Sequence, residues 1–147
     1  MKNIIIYFCF LFLFVSCDQN EEPNASIFGT WELVGIYNPW IGESSDSEID
    51  RFFQTYEFMS NGTFKKTRIY ELEGLKEATG TFTIEDVPAY ISSDTKLYIN
   101  LNFKDGDDIY NNCGQPDEEQ LTLRFNNQLN NFSATPCDGP GYIFEKR

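Results

Sequence analysis

The sequence predicts an all-β domain, a small antiparallel barrel of about eight short strands, with a β-sandwich as the alternative. Apolar and polar residues alternate with a period of two in several short stretches, a pattern typical of strands with one buried face. Turn-forming residues such as Gly, Asn, Asp and Pro separate these stretches. No convincing helix is predicted after the N-terminal segment, and residues 71–78 could form one helical turn at most.

The first predicted strand and the loop after it stand at the start of this domain. The strand covers Phe28–Tyr37 and places Trp31 and Leu33 on one face, because side chains alternate along a strand. The next segment, Asn38–Asp50, is rich in Ser, Asp and Glu and carries Trp40. Because long loops in small domains often carry function, this loop is a candidate binding element.

A hairpin is predicted around the turn Ser60-Asn61-Gly62, with strands over Arg51–Met59 and Thr63–Leu72. A three-residue loop with a left-handed Gly62 pairs Phe58 with Phe64, whereas a two-residue loop pairs Met59 with Phe64. We favour the first register. It places three aromatic side chains on one face and two opposite charges on the other: Tyr56, Phe58 and Phe64, then Glu57 facing Lys65.

The remaining strands follow the same period. The clearest alternation is in Lys96–Phe103, where every second residue is apolar. The other candidates are Ala78–Ile84, Ala89–Ser92, Ile109–Cys113, Gln120–Phe125 and Tyr142–Lys146. Six phenylalanines are predicted to face inward: Phe52, Phe58, Phe64, Phe82, Phe103 and Phe125.

The N-terminal segment predicts export from the cytoplasm. A basic start is followed by the uncharged apolar run Ile4–Val15, which is shorter than the roughly 20 residues needed to span a bilayer. This arrangement is typical of a signal peptide. The residues Val15-Ser16-Cys17 resemble the lipobox of bacterial lipoproteins, although Phe14 stands where Leu is usual. The resemblance implies removal of residues 1–16 and attachment of lipid to Cys17.

Two other interpretations of this segment are an ordinary signal peptide and a buried helix with a chance cysteine. The apolar run lacks the polar positions of a buried amphipathic helix, so we expect the lipoprotein. Residues 17–26 then form an acylated cysteine and a flexible tether, and residues 27–147 form the domain. Asp18 directly after the cysteine indicates inner-membrane retention in some bacteria. The acidic pair Glu21-Glu22 resembles surface-export signals in others. We favour the cell envelope at the outer membrane, with exposure at the surface.

Charge and composition exclude several classes of function. The chain has 11 basic and 23 acidic residues and a net charge of −12, which disfavours nucleic acid and anionic lipid as partners. No histidine is present, so catalytic triads that depend on histidine are excluded. Asp105-Gly106-Asp107-Asp108 fails the EF-hand spacing because Ile109 stands where an oxygen ligand belongs. We predict no enzymatic activity, no cofactor and no metal site.

The cysteines predict a cross-link. Cys9 leaves with the signal peptide and Cys17 carries lipid, so Cys113 and Cys137 remain in a compartment where disulfides persist. The alternative is a pair of metal thiolates, but the chain has no histidine to complete a zinc site. We therefore expect a disulfide.

Several short motifs, taken in order, resemble the lipocalin-like domains of bacterial lipoproteins over residues 27–147. They are Gly29-Thr30-Trp31, the long first loop, the Asn61-Gly62 hairpin and the ending Tyr142-x-Phe144-x-x-Arg147. The resemblance implies a lipocalin-like barrel. Trp31 would close its floor, and Arg147 or Lys146 would pack over Trp31 in a cation–π contact.

Two functions are open at this point. The first is binding of a small hydrophobic ligand, with Trp40 over the mouth and Phe58 and Phe64 in the site. The second is an interaction or structural role for a barrel filled by its own phenylalanines, with loops that meet another protein or a glycan. In both cases the lipid anchor attaches the protein to a membrane, and the sequence names no protein partner.

Overall fold

A computed structural model describes residues 27–40, 52–88, 90 and 94–147, with the side chain of Phe52 excepted. These residues form eight strands and one short 3₁₀ helix, Thr135–Cys137. The strands are β1 (Gly29–Tyr37), β2 (Phe52–Phe58), β3 (Thr63–Tyr70), β4 (Gly74–Asp86), β5 (Thr95–Gly106), β6 (Glu118–Arg124), β7 (Gln128–Asn131) and β8 (Gly141–Lys146). Each strand pairs antiparallel with its neighbour in sequence, and β1 pairs with β8. The predicted barrel is confirmed over the sandwich.

This up-and-down connectivity gives the barrel two ends. The connections that follow β1, β3, β5 and β7 lie at one end, which we call the loop end. The connections that follow β2, β4 and β6 lie at the other, the floor end, together with the start of β1 and the end of β8. No helix in the described part of the chain is long and apolar enough to cross a bilayer.

The predicted hairpin register is confirmed. Phe58 pairs with Phe64, and Glu57 lies opposite Lys65. Gly62 has a φ of 82°, in the left-handed region that glycine adopts without strain. The Met59 N–H donates to the Thr63 carbonyl at 2.9 Å and so closes a three-residue loop. This local geometry fixes which side chains of β2 and β3 enter the barrel.

The ends of two strands differ from the prediction. Strand β4 begins at Gly74, four residues before the predicted start at Ala78, because the φ of 80° at Gly74 allows a tight turn that pairs it with Tyr70. The residues from Gly74 to Ala78 are therefore extended. Phe125 is not inward-facing, because β6 ends at Arg124 and the Phe125 side chain is 63% exposed in the turn to β7.

Two whole strands also differ from the prediction. Residues 109–113 form an irregular connection, although Ile109 packs into the core. The short strand β7 was not predicted, because its sequence Gln-Leu-Asn-Asn has no clear alternation. The candidate Ala89–Ser92 lies outside the described residues, apart from Tyr90 in a turn.

The core is aromatic near the floor end. The rings of Phe58 and Phe82 are 5.2 Å apart, and those of Phe64 and Phe103 are 5.0 Å apart, both edge to face. Gly80 permits this close packing, since a Cβ there would lie 2.1 Å from the Asn102 carbonyl oxygen and 2.8 Å from the Phe64 ring. The floor half of the barrel is thus occupied by its own side chains.

The disulfide Cys113–Cys137 is present, with Cα atoms 5.7 Å apart, as predicted. It joins the connection between β5 and β6 to the 3₁₀ helix that precedes β8. A cross-link over a sequence separation of 24 residues contributes roughly 3–4 kcal/mol to stability in the chain-entropy model. The bond therefore holds together two connections at the loop end.

Candidate functional site

Polar side chains occupy the barrel interior between the aromatic floor and the loop end. This interior polar cluster consists of Gln54, Tyr56, Lys66, Arg68, Glu119 and Asn131, and all six are buried. The cluster draws on β2, β3, β6 and β7. Buried charges are rare in protein interiors unless they are paired, so the contacts within this cluster decide what it can do.

The cluster was not predicted, yet the hairpin register contained the signal for it. Once Phe64 faces inward, the alternation of a strand sends Lys66 and Arg68 inward as well. Strand β3 indeed buries Phe64, Lys66 and Arg68 in turn. The register thus places two cations inside the barrel, and the anion that pairs with Lys66 comes from a distant strand.

That anion is Glu119. Lys66 Nζ lies 2.5 Å from Glu119 Oε1, and both side chains have 0% exposure. The Tyr56 hydroxyl donates to Glu119 Oε2 at 2.5 Å. The backbone N–H of Asn111 also donates to Oε1, and the Asn131 amide donates to the Tyr56 oxygen at 3.0 Å. Each carboxylate oxygen therefore has at least one donor from within the barrel.

Burial sets the protonation of this group. Burial lowers the pKa of Lys66 from 10.5 to about 8, because desolvation disfavours the cation more strongly than Glu119 favours it. Nearby Arg68 lowers that pKa further. Burial, followed by the charge of Glu119, raises the pKa of Tyr56 well above 10. At neutral pH Lys66 is therefore an ammonium ion and Tyr56 a neutral phenol, and both donate hydrogen bonds to Glu119.

A second pair lies further along the same strands, toward the loop end. Arg68 Nε donates to Gln54 Oε1 at 2.8 Å, and the Arg68 guanidinium lies 5.7 Å from the centre of the Tyr70 ring. The Gln54 side chain is fully buried, and its Nε2 has no hydrogen-bond partner among the described residues. A buried amide donor left without an acceptor is uncommon in proteins.

A groove of about 500 Å³ lies on the outside of the barrel. We call it the outer groove. Outward side chains of β4, β5 and β6 form its floor, and the segment 112–115 borders it. Its polar floor residues are Thr81, Thr83, Asn100, Asn102, Glu118 and Gln120. Neither this groove nor the interior polar cluster was predicted from the sequence.

The residues predicted to bind ligand are not brought together. Trp40 follows β1 at the loop end and is 77% exposed. Phe58 and Phe64 lie at the floor end, at the hairpin between β2 and β3, where both are buried. A site that contains all three would have to extend through the interior polar cluster.

The residues predicted to close the barrel do lie near one another. Trp31 is buried, and its indole N–H donates to the Ile27 carbonyl at 2.8 Å. The backbone N–H of Arg147 donates to the Thr30 carbonyl at 3.0 Å, and the Arg147 guanidinium pairs with Glu32 at 2.6 Å. The last residue is thus attached to the first strand. The cation–π contact over Trp31 stays a prediction.

The acidic turn after β5 has a structural use. Asp107 Oδ2 accepts a hydrogen bond from the Glu77 N–H at 2.9 Å, and the Asp107 N–H donates to the Glu77 carbonyl at 2.8 Å. Within the described residues, no three acidic or cysteine side chains are arranged to hold a metal ion. The predicted lipid attachment site, Cys17, lies outside those residues.

Replacing Lys66 with Met is expected to lower the free energy of unfolding by about 3–5 kcal/mol, because it leaves the Glu119 carboxylate buried without its cation. Adding Glu119→Gln is expected to recover part of that loss. Urea denaturation of both variants measures the change. The matched control is Lys65→Met, since the neighbouring Lys65 pairs with Glu77 on the exposed outer face and should cost less than about 1 kcal/mol. Equal losses at Lys65 and Lys66 would contradict the assignment.

The stability of the wild type is expected to rise with pH relative to the neutral pair K66M/E119Q. Lys66 releases its proton near pH 8 when folded and near pH 10.5 when unfolded. The unfolded state therefore binds more protons between these values, and the free energy of unfolding increases with pH. Urea denaturation at pH 7.5 and 9.5 should show a relative gain of about 2 kcal/mol. A flat or falling difference would rule out the lowered pKa.

The chain was compared with protein-family models, curated proteins and solved structures. No family model, curated protein or solved structure matches it. The likeness to lipocalin-like lipoproteins therefore continues to rest on the short motifs of the sequence and on the closed barrel of eight strands.

Proposed function

We propose that this chain is a lipid-anchored protein of the cell envelope, with a barrel that is filled by its own side chains and acts through its outer surface. The observation that carries the proposal is the interior polar cluster. Glu119 receives hydrogen bonds from Lys66, Tyr56 and the Asn111 backbone, so the chain itself supplies the partners of the buried Lys66–Glu119 pair.

A ligand inside the barrel would have to displace these contacts or the aromatic rings beneath them. Removing one partner of a buried ion pair costs about 3–5 kcal/mol, which corresponds to a loss of roughly two to four orders of magnitude in affinity. The rings offer no easier entry, since the Tyr56 and Phe144 centroids are 4.9 Å apart. These energies favour a filled barrel over a carrier of hydrophobic ligands.

The lipid anchor is supported by the sequence alone. An uncharged run of residues 4–15 precedes Val15-Ser16-Cys17. Two or three acyl chains give lasting membrane attachment, whereas one chain is marginal. The ten residues 17–26 can span at most about 35 Å, so the anchor keeps the barrel close to the membrane. Because Ile27 lies two residues before the start of β1, this tether joins the barrel at its floor end.

A second candidate function is capture of a small amphipathic molecule at the loop end. The specific observation that favours it is the buried Gln54 amide, whose Nε2 lacks a hydrogen-bond partner among the described residues. Exposed Trp40 lies at the same end. A ligand there would place a hydrogen-bond acceptor against Gln54 and an apolar part against Trp40, without reaching Phe58 or Phe64.

Native mass spectrometry separates the two functions. The protein is purified in detergent from the membranes of its host and measured in native and denatured form, so that covalently attached acyl chains appear in both masses. The filled barrel predicts equal native and denatured masses. A reproducible non-covalent mass that is lost in Trp40→Ala would instead establish small-molecule capture and overturn the filled barrel.

Replacing Cys17 with Ala is expected to move the protein from the membrane to the soluble fraction, because the acyl chains are then lost. Cell fractionation followed by immunoblotting measures this change. Ser16→Ala keeps a small residue before the cysteine and serves as the matched control that stays in the membrane. A Cys17→Ala protein that still sediments with membranes would refute the anchor.

A further inference from the structure

We infer that the outer groove binds a neutral saccharide. This inference rests on the proposed function, in which the barrel acts through its outer surface, and it names the chemical class of the partner. It is carried by the side chains on the floor of the groove, by the absence of cationic side chains from its lining, and by the fixed position of its border.

The floor consists of two cross-strand rows of polar side chains. In the first row Thr83 lies opposite Asn100, and Asn100 lies opposite Gln120. In the second row Thr81, Asn102 and Glu118 occupy the corresponding positions. Outward residues of a strand repeat about every 6.7 Å, and neighbouring strands are about 4.8 Å apart. The rows therefore form a small lattice of amides, hydroxyls and one carboxylate.

The chemistry of this lattice matches a polyhydroxylated ligand. Amide side chains offer both donors and acceptors, and threonine hydroxyls do the same. Sugar hydroxyls also donate and accept, so each can be matched without charge. Phe82 and Leu101 also border the groove, but their side chains pack into the core, so the outward polar side chains are the groups that a ligand would meet.

Charge selects against acidic ligands. Among the described residues, the groove is lined by no Lys or Arg, and its ionisable side chains are Glu118 and Glu119. Glu119 is paired with Lys66 inside the barrel, so Glu118 is the exposed charge. The whole chain carries a net charge of −12. An anionic glycan would meet repulsion without a counter-charge, whereas a neutral glycan would not.

The border of the groove is already in place. The Cys113–Cys137 disulfide holds the segment 112–115. The Asn112 amide donates to the Gln115 carbonyl at 2.7 Å, and the Gly114 N–H donates to Asn112 Oδ1 at 3.0 Å. A site that is ordered before binding loses less entropy when the ligand arrives. This favours a weakly interacting ligand such as a saccharide.

A peptide is the competing partner, and the fold makes it less suitable. Extended peptides gain much of their affinity by adding a strand to an open sheet edge. The described strands form a closed barrel, so they offer no such edge. A peptide in the outer groove would depend on side-chain contacts alone.

The experiment uses the detergent-purified protein on an array of neutral oligosaccharides, with sialylated forms of the same glycans as acidic probes. Titration calorimetry follows with the strongest neutral probe. We expect binding to a neutral glycan and at least tenfold weaker binding to its sialylated form. Asn102→Ala should weaken binding about three- to tenfold, the effect of one lost hydrogen bond. Asn102→Trp should fill the groove and abolish binding.

Thr83→Ala provides a second, smaller change in the groove in case Asn102→Trp fails to fold, which thermal unfolding would reveal. Its matched control is Thr67→Ala, on the outer face of β3 and outside the groove, which should change affinity less than twofold. Failure of every neutral glycan to bind, or binding unaffected by Asn102→Ala and Thr83→Ala, overturns the inference. So does selection of a peptide from a displayed library when that peptide is blocked by Asn102→Trp and no glycan binds.

These results are separable from the test of the proposed function. If no glycan binds while the native and denatured masses agree, the saccharide assignment fails and the filled barrel stands. If a non-covalent ligand is found at the loop end, the filled barrel fails whatever the array shows. Glycan binding sensitive to Asn102, together with equal masses, supports both.

Discussion

The buried pair Lys66–Glu119 is the interaction on which the arrangement of this barrel depends. Lys66 lies on β3 and Glu119 on β6, 53 residues apart in sequence, and two strands, β4 and β5, lie between theirs in the wall. An unpaired charge in this interior would cost several kcal/mol. The ion pair is therefore satisfied only when all the intervening strands adopt one register, and a slip of one residue on β3 would expose Lys66 and bury Lys65.

The way in which the pair arises links local and long-range structure. The left-handed Gly62 sets the hairpin, the hairpin turns Phe64 inward, and Lys66 follows by alternation. The same register brings Tyr56 of β2 to the other oxygen of Glu119. A turn of three residues near the floor thus determines the electrostatics of the barrel interior, and the chain supplies the matching carboxylate far downstream.

The features that were predicted correctly depend on residues close together in the sequence. The alternation of Leu97, Ile99, Leu101 and Phe103 predicted their burial, and the turn residues predicted the register of Phe58 with Phe64. The prediction failed where residues far apart in the sequence determine the structure together. Strand β7 has too little pattern to stand out and is defined by its neighbours β6 and β8. The burial of Lys66 was not predicted, because lysine rarely enters a core, and its pairing with Glu119 explains why it does so here. The outer groove needs three strands in register before it exists at all.

Successive side chains of a strand face opposite sides of the barrel wall. The residues that pack the interior are therefore different from the residues that form the outer surface. On β5, every second residue packs the interior: Leu97, Ile99, Leu101 and Phe103. Asn100 and Asn102 lie between them on the outer face. Substitutions at the outer positions can change what the surface binds without disturbing the ion pair or the rings. When its own side chains fill the interior of a barrel, the outer face of the wall is still available to bind a partner. The asparagines of β5 are best explained on that basis, since a purely structural outer face could use the threonines and charged residues found on β3.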